Sequence, residues 1–335
     1  MEIKKNIKTI HIPEELPFCI TNIVEHSNLA NFLIITNSVL EMHNMEDDLK
    51  FLLQPNNFCI TTIPELNIEP FGHNSPTLDI QQQRVASLAN ILTNQDLKQI
   101  IIATPMSLIT KTIPKERLQE SLLQVKKGGC YNLIHLRNAL VNNGYTSVDD
   151  ARKVGEVSLC GEILNIANTI NSGVRVMFNE DVIDKIIVYN LVTQNIIKQL
   201  HDITLFPISE SLRTNEIIDN FIKKYKELGL DIESLHFNAI VNNIQNAPFY
   251  TYLSLLYGST STIIDYIKPN CLDLILCDGV AKKIQTQCSE LNNLYKKSQE
   301  IYPNTIYNIE ASYITNPADI INKTINNKVY EVTMI

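Results

Sequence analysis

The stretch that decides the fold begins Gly155-Glu156-Val157-Ser158-Leu159-Cys160-Gly161-Glu162-Ile163-Leu164-Asn165-Ile166. It continues as Val174-Arg175-Val176-Met177-Phe178-Asn179-Glu180-Asp181-Val182-Ile183-Asp184 and closes with Thr193-Gln194. Short runs rich in β-branched and aromatic residues are separated by Gly, Asn and Asp clusters, the pattern of a small antiparallel meander. In this reading Gly155 opens a strand, Gly161 is a bulge or a close approach, and Asn179 to Asp181 turn the next pair.

On either side of the meander the pattern changes. Residues 14 to 26 read as a short helix, Asn31 to Thr36 as a buried strand, and Asn37 or Ser38 as the N-cap of a helix through Leu53. Strands over 58–63 and 99–104 follow, with a helix from Asp79 to Leu92 between them. Beyond the meander, residues 213 to 228 form an amphipathic helix, 271–276 a buried strand, and 280–300 a long helix striped by Ile284, Cys288, Leu291 and Tyr295. Strands alternating with helices mean an α/β domain with a mainly parallel sheet. Leu133, Leu136 and Leu140 share one face of a helix ahead of the meander, which Gly144 ends.

With 335 residues, 44% hydrophobic and 19% charged, the chain has the size and composition of about two globular domains. No apolar run reaches the ~18 residues of a membrane span. The start, Met1-Glu2-Ile3-Lys4-Lys5, lacks an apolar signal core, so a cytoplasmic location is expected. Seven cysteines, odd in number and without a Cys-x-x-Cys pair, suggest reduced thiols and neither a disulfide framework nor zinc. A net charge of −8 argues against avid autonomous binding to nucleic acid.

Catalytic patterns are missing. No Gly-x-x-x-x-Gly-Lys-Ser/Thr occurs, and Gly258-Ser259-Thr260-Ser261-Thr262 lacks the lysine and reads as the N-cap of the next helix. His residues stand singly, so structural or solvated roles are expected for His73 and His135. Glu180, Asp181 and Asp184 read as turn residues and a solvated strand face. The expectation is a chain that is not an enzyme and takes no cofactor or metal, with no ATPase above background and no ATP-dependent rise in melting temperature.

The meander resembles a family signature. Bacterial transcription-repair coupling factors (Mfd), and more distantly UvrB, carry Gly-Glu-x-x-x-Arg-Gly-x-Ile-Leu-Asp, then Arg-Ile-x-Phe-Phe-x-Asp-x-Ile-Asp and a later Thr/Ser-Gln. Most of this stands here in order, with Cys160 in place of Arg. A second segment, Pro64 to Pro76 with Asp79, Ile80 and Arg84, resembles the family's Pro-Asp-Trp-Glu-x-Leu-Pro-Tyr-x-x-x-Ser-Pro, with Leu66-Asn67 for Trp-Glu. The likeness is strongest over 62–210 and looser beyond.

The resemblance implies a split RecA-like remnant domain (1–118 and 209–335) with a small α+β domain inserted at 119–208. In that family the inserted domain recruits UvrA through an exposed face of the meander. Carried over residue by residue, the contacts become Cys160, Arg175 and Asn179, with Glu156 of the same motif grouped beside them. Of the anchors only Arg175 is kept, while Phe178 keeps the aromatic that faces the core. Arg175 could instead pair with a neighbouring carboxylate. Two lost anchors at ~2 kcal/mol each amount to roughly a thousandfold in affinity. Because the family Arg faces solvent, Cys160 and Ser158 should point outward and Val157 and Leu159 inward, while Cys19, Cys59, Cys271 and Cys277, in apolar runs, should be buried. Intact family members continue into a polymerase-binding domain and an ATP-driven motor. The partners implied are therefore UvrA, with weakened affinity, or alternatively a separately encoded Mfd motor chain docked in trans, with this chain as a regulatory or degenerate fragment.

Overall fold

In the computed structural model, residues 7–12, 16–27, 31–53, 57–244, 246–268, 272–306, 308–323 and 329–334 are described. The first part runs β1 (Ile7–Ile12), α1 (Leu16–His26), β2 (Asn31–Ile35), α2 (Val39–Leu52), β3 (Phe58–Ile63), α3 (Leu78–Thr93), β4 (Lys98–Ala103), α4 (Pro105–Ile109) and α5 (Lys115–Ser121). The middle holds β5 (Leu123–Lys126), α6 (Leu133–Asn142), β6 (Thr146–Ser147), β7 (Glu156–Cys160), β8 (Ile163–Ile166), β9 (Ser172–Asn179), β10 (Val182–Asn190), β11 (Ile196–Leu200) and β12 (Asp202–Leu205). The last part contains α7 (Asn215–Glu227), α8 (Leu235–Val241), α9 (Leu253–Tyr257), α10 (Ile263–Tyr266), β13 (Leu272–Leu276), α11 (Val280–Ile301), α12 (Pro317–Lys323) and β14 (Val329–Met334).

The outer parts build one sheet in the order β1-β14-β13-β2-β4-β3, parallel at every pairing. Its central strands read as continuous apolar runs because both faces are covered: every residue of β2 and β13 is buried. Ser38 caps α2, which turns Met42, Met45 and Leu49 onto the sheet. Along α11, Ile284, Cys288 and Leu291 do the same. A second core lies among α7, α8 and α9, where Phe221, Tyr225, Phe237 and Tyr252 pack ring against ring. Leu66, standing where the family has Trp, is buried in this core.

The middle part makes the second sheet, β11-β10-β9-β8-β7-β6, antiparallel except between β6 and β7. Val157, Leu164, Val174, Val176 and Phe178 line its inner face against Leu136 and Leu140 of α6. The short ribbon β5–β12 carries the chain in and out. At its base Arg84 Nε donates to Glu210 Oε1 at 2.6 Å, with both side chains fully buried. Arg84 Nη1 donates to the Pro64 carbonyl (2.6 Å), and Glu210 Oε2 accepts from the Ile113 amide (3.2 Å). One buried ion pair thus ties α3, segment 64–76 and both ends of the excursion together. Against α3, Gly155 (φ +86°) leaves room for Leu78 and Ile208, where an added Cβ would come within 3.1 and 3.2 Å.

Several sequence expectations need correction. Helix α1 begins at Leu16, and the residues just before it, like Cys271, lie outside the described residues. Gly161 (φ +58°) has open space around it: it makes the tight turn between β7 and β8, with no bulge or close approach. Ser158 is buried although it faces outward, because the next strand covers it; Asn165 Nδ2 lies 3.5 Å from its hydroxyl. Cys277 is buried, whereas Cys19 and Cys59 are only half-buried. No helix of the described residues is long and apolar enough to cross a membrane.

Candidate protein interface

The outer face of the second sheet is assembled by register. Ser158, Asn165, Arg175 and Ile187 lie side by side across β7 to β10, and Cys160, Ile163, Met177 and Lys185 form the next row. Asn179 lies one step further along β9, beside the turn at Glu180-Asp181. The register therefore brings Cys160, Arg175 and Asn179 to one face, near one end of the sheet. Cys160 and Asn179 are exposed and Arg175 is half-buried. Glu162 Oε1 accepts from the Glu180 amide at 3.2 Å, so the two turns beside Cys160 and Asn179 are joined.

Arg175 is the most constrained of the three. Its Nε donates to Asn165 Oδ1 (2.8 Å) and its Nη2 to Gln194 Oε1 (3.3 Å), and its guanidinium stands 4.6 Å from the centre of the Tyr189 ring. Tyr189 is buried on the diagonal of the antiparallel pair, where side chains two residues on are in reach. Gly173, directly opposite, makes room for the ring: a Cβ there would lie 2.7 Å from Tyr189 Cζ. Burial raises the Tyr189 phenol above its ordinary pKa, partly offset by the Arg175 charge. Among the described residues no carboxylate forms an ion pair with Arg175; amides hold it instead, which removes the carboxylate alternative. The result is a cation fixed in one orientation on a half-apolar face, its charge left unneutralised.

Glu156 lies elsewhere. Its Oε2 accepts from the amides of Arg152 and Lys153, both at 2.8 Å, so it anchors the turn leading into β7. Sequence reasoning missed Tyr189 and Gln194 as the groups that hold Arg175. A glycine inside a strand, at position 173, was the available signal for the ring. Gln194, at positive φ, donates in turn to the Leu191 carbonyl, which gives the Thr193-Gln194 dipeptide a structural task.

The carboxyl end of the sheet, where α/β proteins commonly bind ligands, is taken up beyond β2 and β13 by the chain itself. Ser38 Oγ accepts from the Glu41 amide (3.2 Å), Glu41 Oε2 accepts from the Asn37 amide (3.0 Å), and Asn37 Nδ2 donates to the Asp278 carbonyl (2.7 Å). A carboxylate therefore occupies the first turn of α2. The histidines, expected to stand singly, include a pair: His73 and His236 bond at 2.8 Å.

Residues 123–210 match the UvrB interaction domain family. The transcription-repair-coupling factor of Rickettsia typhi is 24% identical over 297 residues, 87% of this chain and 26% of that protein. The same factor from Staphylococcus aureus is 22% identical over 271 residues, 76% of this chain and 23% of that protein. That of Haemophilus influenzae is 25% identical over 213 residues, 63% of this chain and 17% of its own length. The chain spans about a quarter of the length of the Rickettsia relatives it matches. Residues 123–210 are thus similar to the UvrB interaction domain family, and they are set in a chain similar over most of its length to the transcription-repair-coupling factors.

Proposed function

We propose that the chain is a non-catalytic protein-interaction module of transcription-coupled nucleotide excision repair, acting in the cytoplasm, and that the outer face of its second sheet docks UvrA. The carrying observation is that the UvrB interaction domain match falls on the excursion whose outer face holds Arg175 immobile and unneutralised. An arginine already ordered loses little side-chain entropy on binding, and it suits a carboxylate or carbonyl acceptor of the partner. Glu41, in the first turn of α2 where a phosphate would need free amides, supports the non-catalytic part of the reading.

The test is a titration against the cognate UvrA. Arg175→Ala should weaken binding by ~2 kcal/mol, about thirtyfold. Cys160→Arg combined with Asn179→Phe should strengthen it, since both side chains are exposed on the same face. Tight binding that Arg175→Ala leaves unchanged would remove this face from the interface. The exposed Cys160 and Asn179, in place of arginine and phenylalanine anchors, favour a second reading in which UvrA binding is lost and the module docks on a separate Mfd motor chain. No UvrA binding by the parent, with none gained by the double variant, would favour that second reading.

A further inference from the structure

Segment 64–76 links the two cores of the split domain: Leu66 is buried in the helical one, and Phe71 in the sheet one, edge-on to Tyr295 and Tyr313. Between Phe71 and Ser75 the segment carries His73, whose ring sits at the outer end of a hydrogen-bonded chain. Tyr302, just past α11, meets His73 Nε2 at 2.8 Å; His73 Nδ1 meets His236 Nε2 of α8 at 2.8 Å; His236 Nδ1 meets Tyr252 Oη at 2.8 Å. Tyr252 in turn donates to the Thr305 carbonyl at 2.8 Å. His73 is exposed and His236 is buried.

A carbonyl can only accept, and for neutral imidazoles this fixes the direction of every bond before it. The Tyr252 proton points to Thr305, so Tyr252 accepts from His236 Nδ1–H. His236 Nε2 is then bare and accepts from His73 Nδ1–H, and His73 Nε2 accepts from the Tyr302 hydroxyl. In the neutral relay, therefore, both imidazoles carry their proton on Nδ1. The other groups around the chain are Tyr225 of α7, which donates to the same Thr305 carbonyl at 3.2 Å and touches Ser234, and Asp231, which acts on Tyr225. Among the described residues no carboxylate forms an ion pair with either imidazole.

One extra proton fits without loss. It lands on His73 Nε2, the Tyr302 hydroxyl turns to accept, and the proton between the rings can reside on either one. A second proton places two N–H groups and two positive rings face to face across 2.8 Å. We propose that this relay is a proton-operated latch on segment 64–76, which takes up one proton intact and opens on the second, freeing the segment from α8 and from the end of α11. Burial first, and then the facing His73, hold His236 down at about 4. Since the folded value lies below the ordinary imidazole value of 6.5, the stabilisation is fully present above that pH and is lost as pH falls towards about 4.

Two measurements on the full chain decide this. Long-range proton–nitrogen NMR near neutral pH should find both imidazoles protonated on Nδ1; a proton on Nε2 of His236 would overturn the relay. Hydrogen exchange at the Ser75 amide, bonded to the Asn246 carbonyl at 3.1 Å, reports the segment. Corrected for intrinsic rate, its protection should fall about tenfold or more between about pH 7 and about pH 4.5. His73→Gln, which keeps a donor and an acceptor but cannot titrate, removes the facing charge and should make that fall smaller, leaving the part due to the burial of His236. Equal falls in parent and variant, or none in the parent, would refute the latch. If His73→Gln does not fold, the tautomers and the pH dependence of Ser75 exchange in the parent decide the matter together.

Discussion

Arg84 and Arg175 occupy two regions that treat a positive charge in opposite ways. At the base of the excursion Arg84 is fully buried, and it bonds a carboxylate, Glu210, which in turn holds the Ile113 amide. On the outer face of the second sheet Arg175 is half-buried, steadied by two amides and a phenol ring, and among the described residues no carboxylate pairs with it. A buried charge must be neutralised inside the molecule, whereas a half-buried one can be oriented there and neutralised by something else. The first arrangement is architecture; the second leaves an interaction to be completed.

The contrast breaks most visibly at Arg84. Removing one partner of a fully buried pair leaves the other uncompensated, so Arg84→Met alone should cost about 3–5 kcal/mol in denaturant unfolding. Adding Glu210→Leu should recover most of that loss. At Arg175 the change to Met should cost only about 1 kcal/mol, the scale of an exposed cation–π contact. Similar losses at the two sites would erase the distinction.

A smaller effect sharpens the description of the outer face. In Gly173→Ala the new methyl meets the Tyr189 ring, and the displaced ring disturbs Arg175. Overpacking of this kind should cost about 1–3 kcal/mol, and the cross-peaks between the Tyr189 ring and the Arg175 side chain should weaken. An unchanged melting temperature together with unchanged cross-peaks would mean the ring is not seated over Gly173.

The smallest perturbation is chemical labelling, which leaves the fold alone. Cys160 and Cys130 are exposed, while Cys277 and Cys288 are buried, their thiols pushed up by burial to about 12 and about 11. Brief treatment with a thiol reagent should modify Cys160 and Cys130 first and spare the other two. If Cys160 were protected while Cys277 reacted, the outward facing of β7 would be wrong, and the docking face with it.

These sites also mark the limits of reading the sequence. The parallel sheet and the meander were legible because their signals are local: apolar runs in β2 and β13, and strand residues punctuated by turn residues between 155 and 184. The pairing of β1 with β14 was not anticipated, since it joins residues at opposite ends of the described sequence. Outward facing was readable at Ser158 but burial was not, because a neighbouring strand, invisible to a period-two pattern, supplies the cover. Arg84 was noticed only through a motif. Its partner Glu210 lies 126 residues further on, and His73 and His236 are 163 apart, so each residue looked solitary in sequence.

The position of β14 between β1 and β13 has a consequence for the order of assembly. Strands β2, β4 and β3 are close in sequence and can pair as soon as they emerge, and the second sheet closes through hairpins. By contrast, β1, which precedes the other strands of this sheet, has no neighbour until β14, which follows them all, arrives to sit beside it. Such a pairing pays the entropy of closing almost the whole chain before any contact repays it. During synthesis, therefore, the domain built around the second sheet can be complete while the parallel sheet that carries it still waits for β14.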